Sequence, residues 1–217
     1  LAGSHFTVTY QQQVHAVHMP LIGRFNVQNA LAAYAVGVAL GIDREQIAAG
    51  LGRVTAVPGR FQHIASPDGW IAVVDYAHTP DALANCLRTI HDIMNAGRRG
   101  HIITVFGCGG DRDKGKRPLM GRVATELSDI TVITSDNPRS EDPEAIVREI
   151  QAGCLADKTV YTEVDRRKAI AFALGLARSG DVVLIAGKGH ETYQIIGDKR
   201  VHFDDREEVE SFIRKKR

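Results

Sequence analysis

The chain has 217 residues, 44% of them hydrophobic and 24% charged, an ordinary globular composition that can bury the core of one large or two modest domains. A formal net charge of +1 gives no support to a nucleic-acid surface, and the basic tail from Arg214 to Arg217 reads as a solvated helix end. Three cysteines, Cys86, Cys108 and Cys154, without Cys-x-x-Cys spacing, argue against a disulfide framework or a zinc site and for a reducing compartment, with cytoplasm as the default. No apolar run reaches the length of a membrane span and no signal peptide is apparent, so no membrane partner is expected.

In chain order, Phe6 to Tyr10 and Val14 to His18 read as two strands of a hairpin. His15 and His18, three apart, fall on opposite strand faces and make a poor metal pair. The chain opens without methionine and in mid-element, so a piece of a longer protein is expected. An alanine-rich helix follows from Leu21 and ends at Gly41; Asp43 then caps a second helix that runs to Arg53. Asn26 and Asn29 share one face near the positive helix end and read either as capping residues or as amides that face a base or phosphate. A turn at Val57 to Phe61 displays Arg60 and marks a domain boundary.

Beyond it, Gln62 to Ala65 and Trp70 to Val74 read as strands. The second ends in Asp75-Tyr-Ala-His78, with Thr79 and Pro80 opening a helix. His101 to Phe106 is a buried strand whose continuation carries glycines at 107, 109 and 110, and Leu119 to Leu127 resumes at helical spacing after Pro118. Strand and helix then alternate: strands at 130–134, 159–162 and 181–186, and helices from Asp142 and Asp165. A hairpin around Gly197 and a last helix capped by Asp204 or Asp205 complete the chain. That alternation predicts an α/β fold with a mainly parallel, Rossmann-like sheet.

The stretch Gly110-x-x-x-x-Gly115-Lys116 fits a phosphate-binding P-loop as far as the lysine, but Arg117 stands where Ser or Thr should hold magnesium. It reads as an anion-binding loop of another kind or as a solvated basic turn. Cys108 beside it reads as a small residue in a tight turn rather than a nucleophile. The glycine loop, Asp136-Asn-Pro-Arg139 and Gly187-Lys-Gly-His-Glu191 each follow a strand of one sheet, so they share its carboxyl rim. They present Arg112, Asn137, Arg139, the carbonyls near Gly187 and the Glu191 carboxylate. Arginines suit carboxylate or phosphate, and a carboxylate with carbonyls suits ammonium, so the rim fits a zwitterion; structural ion pairs are the alternative. His190 reads as a base or as an exposed hydrogen-bonding group.

The segments Gly23 to Ala33, Pro58 to Phe61, Val74 to Leu83, Phe106 to Pro118, Asp136 to Arg139 and Gly187 to Glu191 together resemble the carboxyl half of a Mur ligase, in the branch that adds meso-diaminopimelate. The resemblance implies that residues 1–57 are the end of a central ATP-binding domain and 58–217 an amino-acid-binding domain. It implies an ATP-dependent ligase of peptidoglycan synthesis that joins diaminopimelate to a UDP-muramoyl dipeptide through an acyl phosphate. Arg112, Asp136, Asn137, Pro138, Arg139, Gly187 and Glu191 would bind diaminopimelate. Asn29, Arg60 and Asp75 would face nucleotide, with Asn26 and His78 as weaker members. The family's P-loop, magnesium ligands and carbamoylated lysine lie upstream of anything matched here, so ATP and Mg2+ would be bound mainly elsewhere, no catalytic residue is assigned, and the fragment is expected to be inactive alone. Two rivals stand: a folylpolyglutamate synthetase-like ligase, which shares Asp75 to His78, and a non-catalytic nucleotide- or amino-acid-binding module. A Gly-x-Gly-x-x-Gly fingerprint for the latter is missing.

Overall fold

A computed structural model describes residues 3–95 and 100–216. The chain divides into two compact units, Leu1–Val57 and Pro58–Arg217.

In the first unit, β1 (Ser4–Tyr10) and β2 (Gln13–Met19) pair antiparallel across a two-residue turn. Gln11 and Gln12 both carry positive φ, 49° and 62°, the backbone that matches the twist of a tight hairpin. His5 pairs with His18 and Val8 with His15, which leaves His15 and His18 on opposite faces, as the period of two requires. Helices α1 (Arg24–Ala39) and α2 (Arg44–Gly52) pack over a small core of Val17, Tyr34 and Ile47. The Asp43 carboxylate caps α2 by accepting from the Glu45 and Gln46 amides at 2.9 and 3.2 Å. Such a cap contributes about 1 kcal/mol. Helix α1 is apolar on more than its buried side: Leu31 and Val36 are exposed, as is Leu40 at its carboxyl cap.

The second unit is built on a six-stranded sheet. Its strands are β3 (Gln62–Ala65), β4 (Ile71–Asp75), β5 (Ile102–Phe106), β6 (Ile130–Ile133), β7 (Thr159–Thr162) and β8 (Val182–Ala186), in spatial order β3-β4-β8-β5-β6-β7. Only the β3–β4 pair is antiparallel. Every residue of β4, β5 and β8 is buried, which is why these strands read as unbroken apolar runs rather than alternating ones. Helices α3 (Pro80–Asn95), α4 (Lys116–Leu127) and α5 (Pro143–Gln151) pack on one another, as do α6 (Arg166–Leu176) and α7 (Asp205–Lys215). The α6 and α7 side buries Ala72, Val74, Ile103, Val105, Val183 and Ile185 against Ala169, Ile170, Leu174 and Val209. Aspartates cap α5, α6 and α7 at positions 142, 165 and 204. Helix α4 starts at Lys116, earlier than spacing from Leu119 implies, because the Arg117 amide already donates to the Lys114 carbonyl at 3.0 Å. A separate hairpin, β9 (Tyr193–Ile196) with β10 (Lys199–His202), turns at Gly197. Among the described residues no helix is long and apolar enough to cross a membrane.

The strand order positions the site. From β5 the chain moves outward through β6 to β7, then returns so that β8 lies between β4 and β5. The loops after β4, β8, β5 and β6 therefore stand side by side at the carboxyl edge, where open α/β sheets bind ligands.

Candidate functional site

Those four loops border a pocket of about 540 Å³ lined by Tyr76, His78 and Thr79 after β4, by Gly107, Cys108, Gly109, Arg112, Asp113 and Lys116 after β5, by Asp136, Asn137 and Arg139 after β6, and by Gly187, Glu191 and Tyr193 after β8. Of the residues expected to hold an amino acid, Arg112, Asp136, Asn137, Arg139, Gly187 and Glu191 line it. Pro138 does not; its carbonyl oxygen lies 1.9 Å from where a Cβ on Gly110 would stand. His78, expected on the nucleotide side, lines the same pocket.

Glycine is required where the loops touch. A Cβ on Gly107 would meet the Thr134 carbonyl oxygen at 2.2 Å, and Gly110 donates its amide to Asn137 O at 2.9 Å. Gly187, at φ +117°, would place a Cβ 2.5 Å from Asp136 Oδ2. The loops thus lock by close approach of backbone to backbone and, at Gly187, of backbone to the Asp136 carboxylate, which leaves no room for a Cβ.

Arg139 is the one residue of its segment in the left-handed region, with φ 53°. Its amide donates to Ile195 O at 3.1 Å, its carbonyl accepts from Gly197 N at 2.7 Å, and Nη1 donates to Gly110 O at 2.8 Å. Non-glycine residues held there cost on the order of 1–3 kcal/mol and cluster at ligand clamps. Arg112, fully on the exposed rim, donates Nη1 to the Asp111 carbonyl at 2.9 Å. Asn137 Nδ2 donates to Glu191 Oε2 at 2.9 Å. Two arginines, Arg112 and Arg139, and the carboxylates of Asp113, Asp136 and Glu191 thus border one cavity.

The glycine loop is anchored from below. Arg117, fully buried, donates to Glu141 at 2.9 and 3.0 Å, to Glu149 at 2.8 Å and to the Gly109 carbonyl at 3.2 Å. Asp111 donates its amide to Glu141 Oε1 at 2.6 Å. Arg117 first, then the Asp111 amide, hold the Glu141 carboxyl down at about 2. Because the folded value is depressed, Glu141 stabilises the fold fully above its unfolded value of about 4.3 and loses that contribution as pH falls toward 2. The difference in melting temperature between the native protein and Glu141→Gln is therefore expected to be constant above about pH 5.5 and to shrink steadily below about pH 4. Thermal melts across that range check it, and a gap that does not shrink with acid removes Glu141 from the linkage.

These anchors decide the P-loop question. Gly110 and Asp111 direct their amides inward, Arg117 is committed to two glutamates, and the Lys116 ammonium donates to the His78 carbonyl at 2.8 Å. The loop is a brace between neighbouring loops, and its donors do not form a triphosphate cradle. Cys108 is 2% exposed, its thiol is pushed up to about 12, chiefly by burial, and its Sγ lies 3.6 Å from Met120 Sδ. That is a packed side chain and not a nucleophile.

The other expected nucleotide residues differ in setting. Asp75 is 7% exposed and accepts from the Phe61 and Ala77 amides, both at 2.7 Å. Arg60 is exposed, with its guanidinium 4.9 Å from the centre of the Tyr76 ring. Asn26 is buried and returns its amide to Ile22 O at 2.8 Å, a local helix-entry bond, whereas Asn29 is exposed. Both belong to the first unit.

Residues 59–189 match the family described as "Mur ligase, glutamate ligase domain". The chain belongs to the Mur ligase family. Its Mur ligase relatives include the UDP-N-acetylmuramoyl-L-alanyl-D-glutamate–2,6-diaminopimelate ligase of Gloeobacter violaceus, 54% identical over 91% of this chain and 40% of that protein. The ligase of the same name from Syntrophomonas wolfei is 49% identical over 100% of this chain and 44% of that protein. A solved structure of a ligase so named superposes with a TM-score of 0.71 at 42% identity, covering 99% of this chain and 43% of the other. Folylpolyglutamate synthase from Thermotoga maritima, at 20% identity and a TM-score of 0.65, shares the fold. The chain thus spans about two fifths of the length of these Mur ligase relatives.

Two further side chains belong to the site, Lys116, which the sequence offered only as the end of an incomplete P-loop pattern, and Lys188, to which it gave no role. Lys116 ties α4 to the loop after β4, and Lys188 lies fully buried behind the acidic wall. Lys188 stands inside a segment that the sequence singles out, but its burial has no local signal.

Proposed function

We propose that the chain is the carboxyl-terminal part of an ATP-dependent, amide-bond-forming ligase that adds meso-diaminopimelate to UDP-N-acetylmuramoyl-L-alanyl-D-glutamate in peptidoglycan synthesis. The observation that carries this reading is the single pocket bordered by Arg112, Arg139, Asn137 and Glu191, whose charges complement a zwitterionic diacid. Residues 58–217 form the amino-acid-binding domain, and 1–57 the end of the central ATP-binding domain. The outward apolar residues of α1 support the second assignment, since a helix apolar on several sides belongs inside a larger core. The three free cysteines fit a cytoplasmic protein.

In this reading Arg112, Asn137 and Arg139 take the carboxylates, while Glu191 and the Gly187 carbonyl take the ammonium of the non-reacting end. The other amine is left free as the nucleophile. The glutamyl carboxylate of the dipeptide takes the γ-phosphoryl group of ATP and releases ADP; the amine nitrogen then bonds to the acyl carbon, and inorganic phosphate and a proton leave. ATP with Mg2+ supplies the phosphoryl group and is bound mainly outside this chain, with Asn29, Arg60 and Asp75 facing the nucleotide and Asn26 and His78 beside them. This chain's task is to bind and orient the amine, which makes the second step effectively unimolecular.

L-lysine lacks the distal carboxylate and would leave the Arg139 guanidinium without a counter-charge, so selection against it follows from an unanswered charge. Calorimetric titration is expected to show meso-diaminopimelate bound in preference to L-lysine and L-glutamate. Arg139→Ala should weaken binding by about 10- to 100-fold, the loss of one charged hydrogen bond. Preference for L-glutamate would instead point to the folate-type ligases.

A further inference from the structure

Lys188 contributes no atom to the pocket wall, yet it decides what that wall presents. Its side chain has 0% exposure and its Nζ faces three acceptors: Asn137 Oδ1 at 3.1 Å, Glu191 Oε2 at 3.4 Å and Asp136 Oδ1 at 3.5 Å. An ammonium has three donors, so all three are used. The Tyr193 ring covers it, 5.8 Å from Nζ to the centroid.

Two consequences follow. Asn137 Oδ1 receives donors from both Lys188 Nζ and the Ile195 amide, the latter at 2.9 Å, so the amide cannot flip and its Nδ2 must point to Glu191. Two carboxylates facing one ammonium also leave the acidic wall with one net negative charge. Arg166, which also lies within electrostatic reach of Asp136 and Glu191, is matched by Asp205 and does not alter that balance.

We propose that Lys188 is the positioning residue of the amino-acid pocket, fixing Asn137 and Glu191 and reducing the wall to the single negative charge that one substrate ammonium matches. The proposal rests on the diaminopimelate reading above. Without the ammonium, Asp136 and Glu191 would repel one another, and Asn137 would lose one of the two donors that orient it.

The test uses the full-length ligase that contains this chain, with steady-state constants for diaminopimelate and ATP measured separately. Lys188→Met, which keeps the length and apolar stem, is expected to raise KM for diaminopimelate about tenfold or more, with KM for ATP and kcat within about twofold. Adding Asp136→Asn restores the single negative charge and is expected to bring KM for diaminopimelate back to within about threefold of the unaltered enzyme. A merely structural lysine predicts no such rescue. An unchanged KM for diaminopimelate in the single variant, or a double variant no better than the single, overturns the proposal. If Lys188→Met does not fold, the charge-balanced double variant decides alone: a KM within about threefold supports the role and a tenfold loss rejects it. An unaltered ligase that does not use diaminopimelate would overturn the functional reading itself, whatever the variants do.

Discussion

Arg166→Ala is expected to destabilise the second unit by about 3–5 kcal/mol, because it strands a buried carboxylate. Arg166 and Asp205 both have 0% side-chain exposure and join through two parallel bonds of 2.8 Å, from Nε to Oδ1 and from Nη2 to Oδ2. Burial, the largest single influence, would push the guanidinium down, but Asp205 together with Asp136 and Glu191 offsets it and holds the arginine above its ordinary value. The same side chain donates to Ala186 O at 3.0 Å and reaches Ser135 O at 3.5 Å. Those carbonyls end β8 and follow β6, directly under the Gly187 and Asp136 loops, so the ion pair is a strut between α6, α7 and the floor of the pocket. In urea denaturation the midpoint should fall accordingly, with a melting temperature lower by roughly 6–20 °C. Replacing both partners, Arg166→Met with Asp205→Leu, should recover most of that loss, since a buried pair adds little over well-packed apolar groups. If the double variant is as unstable as the single one, the cost lies in the lost carbonyl contacts and not in the orphaned charge.

Gly110→Ala is expected to harm binding far more than stability. Its Cβ would lie 1.9 Å from Pro138 O and 2.7 Å from Pro138 C, both backbone atoms that cannot rotate away. The glycine loop must then separate from the Asp136 loop, which breaks the Gly110 N to Asn137 O bond and moves Arg112 relative to Arg139. A shift of about 1 Å between paired recognition groups costs on the order of 100-fold, whereas overpacking at a loop junction costs about 1–3 kcal/mol of stability. Diaminopimelate titration and a thermal melt of the same variant separate the two effects. Near-native affinity would show that the two loops need not touch for the site to form.

Much of the architecture was legible from local signals. Strands β4, β5 and β8 are unbroken apolar runs because both sheet faces are covered, and Asp43, Asp142, Asp165 and Asp204 sit at helix starts because short side-chain oxygens satisfy the free amides there. One boundary moved for a physical reason: helix α4 begins at Lys116, since a proline in the first turn leaves room for two residues before it.

The site was legible only as a list of segments. Glycines at 107, 109 and 110 announced a special loop, but the reason for them lies in the Thr134 backbone, the Arg139 side chain and the Pro138 backbone, far away in sequence. Arg117 broke the P-loop pattern without explaining itself; the explanation is Glu141 and Glu149, 24 and 32 residues on.

The sequence by itself determined the α/β alternation, the helix caps, the loops that carry chemistry and the mixture of arginine and carboxylate on their rim, because each depends on residues within a turn or two of one another. Only the tertiary structure decided that β8 returns between β4 and β5, which sets four loops around one pocket and brings His78 to the same pocket as Arg112, Asn137 and Arg139. It also decided that Lys188 is buried behind that pocket while Arg112 remains on its rim. Whether a charge faces water or three acceptors depends on which distant segments pack over it, and local periodicity carries no record of that.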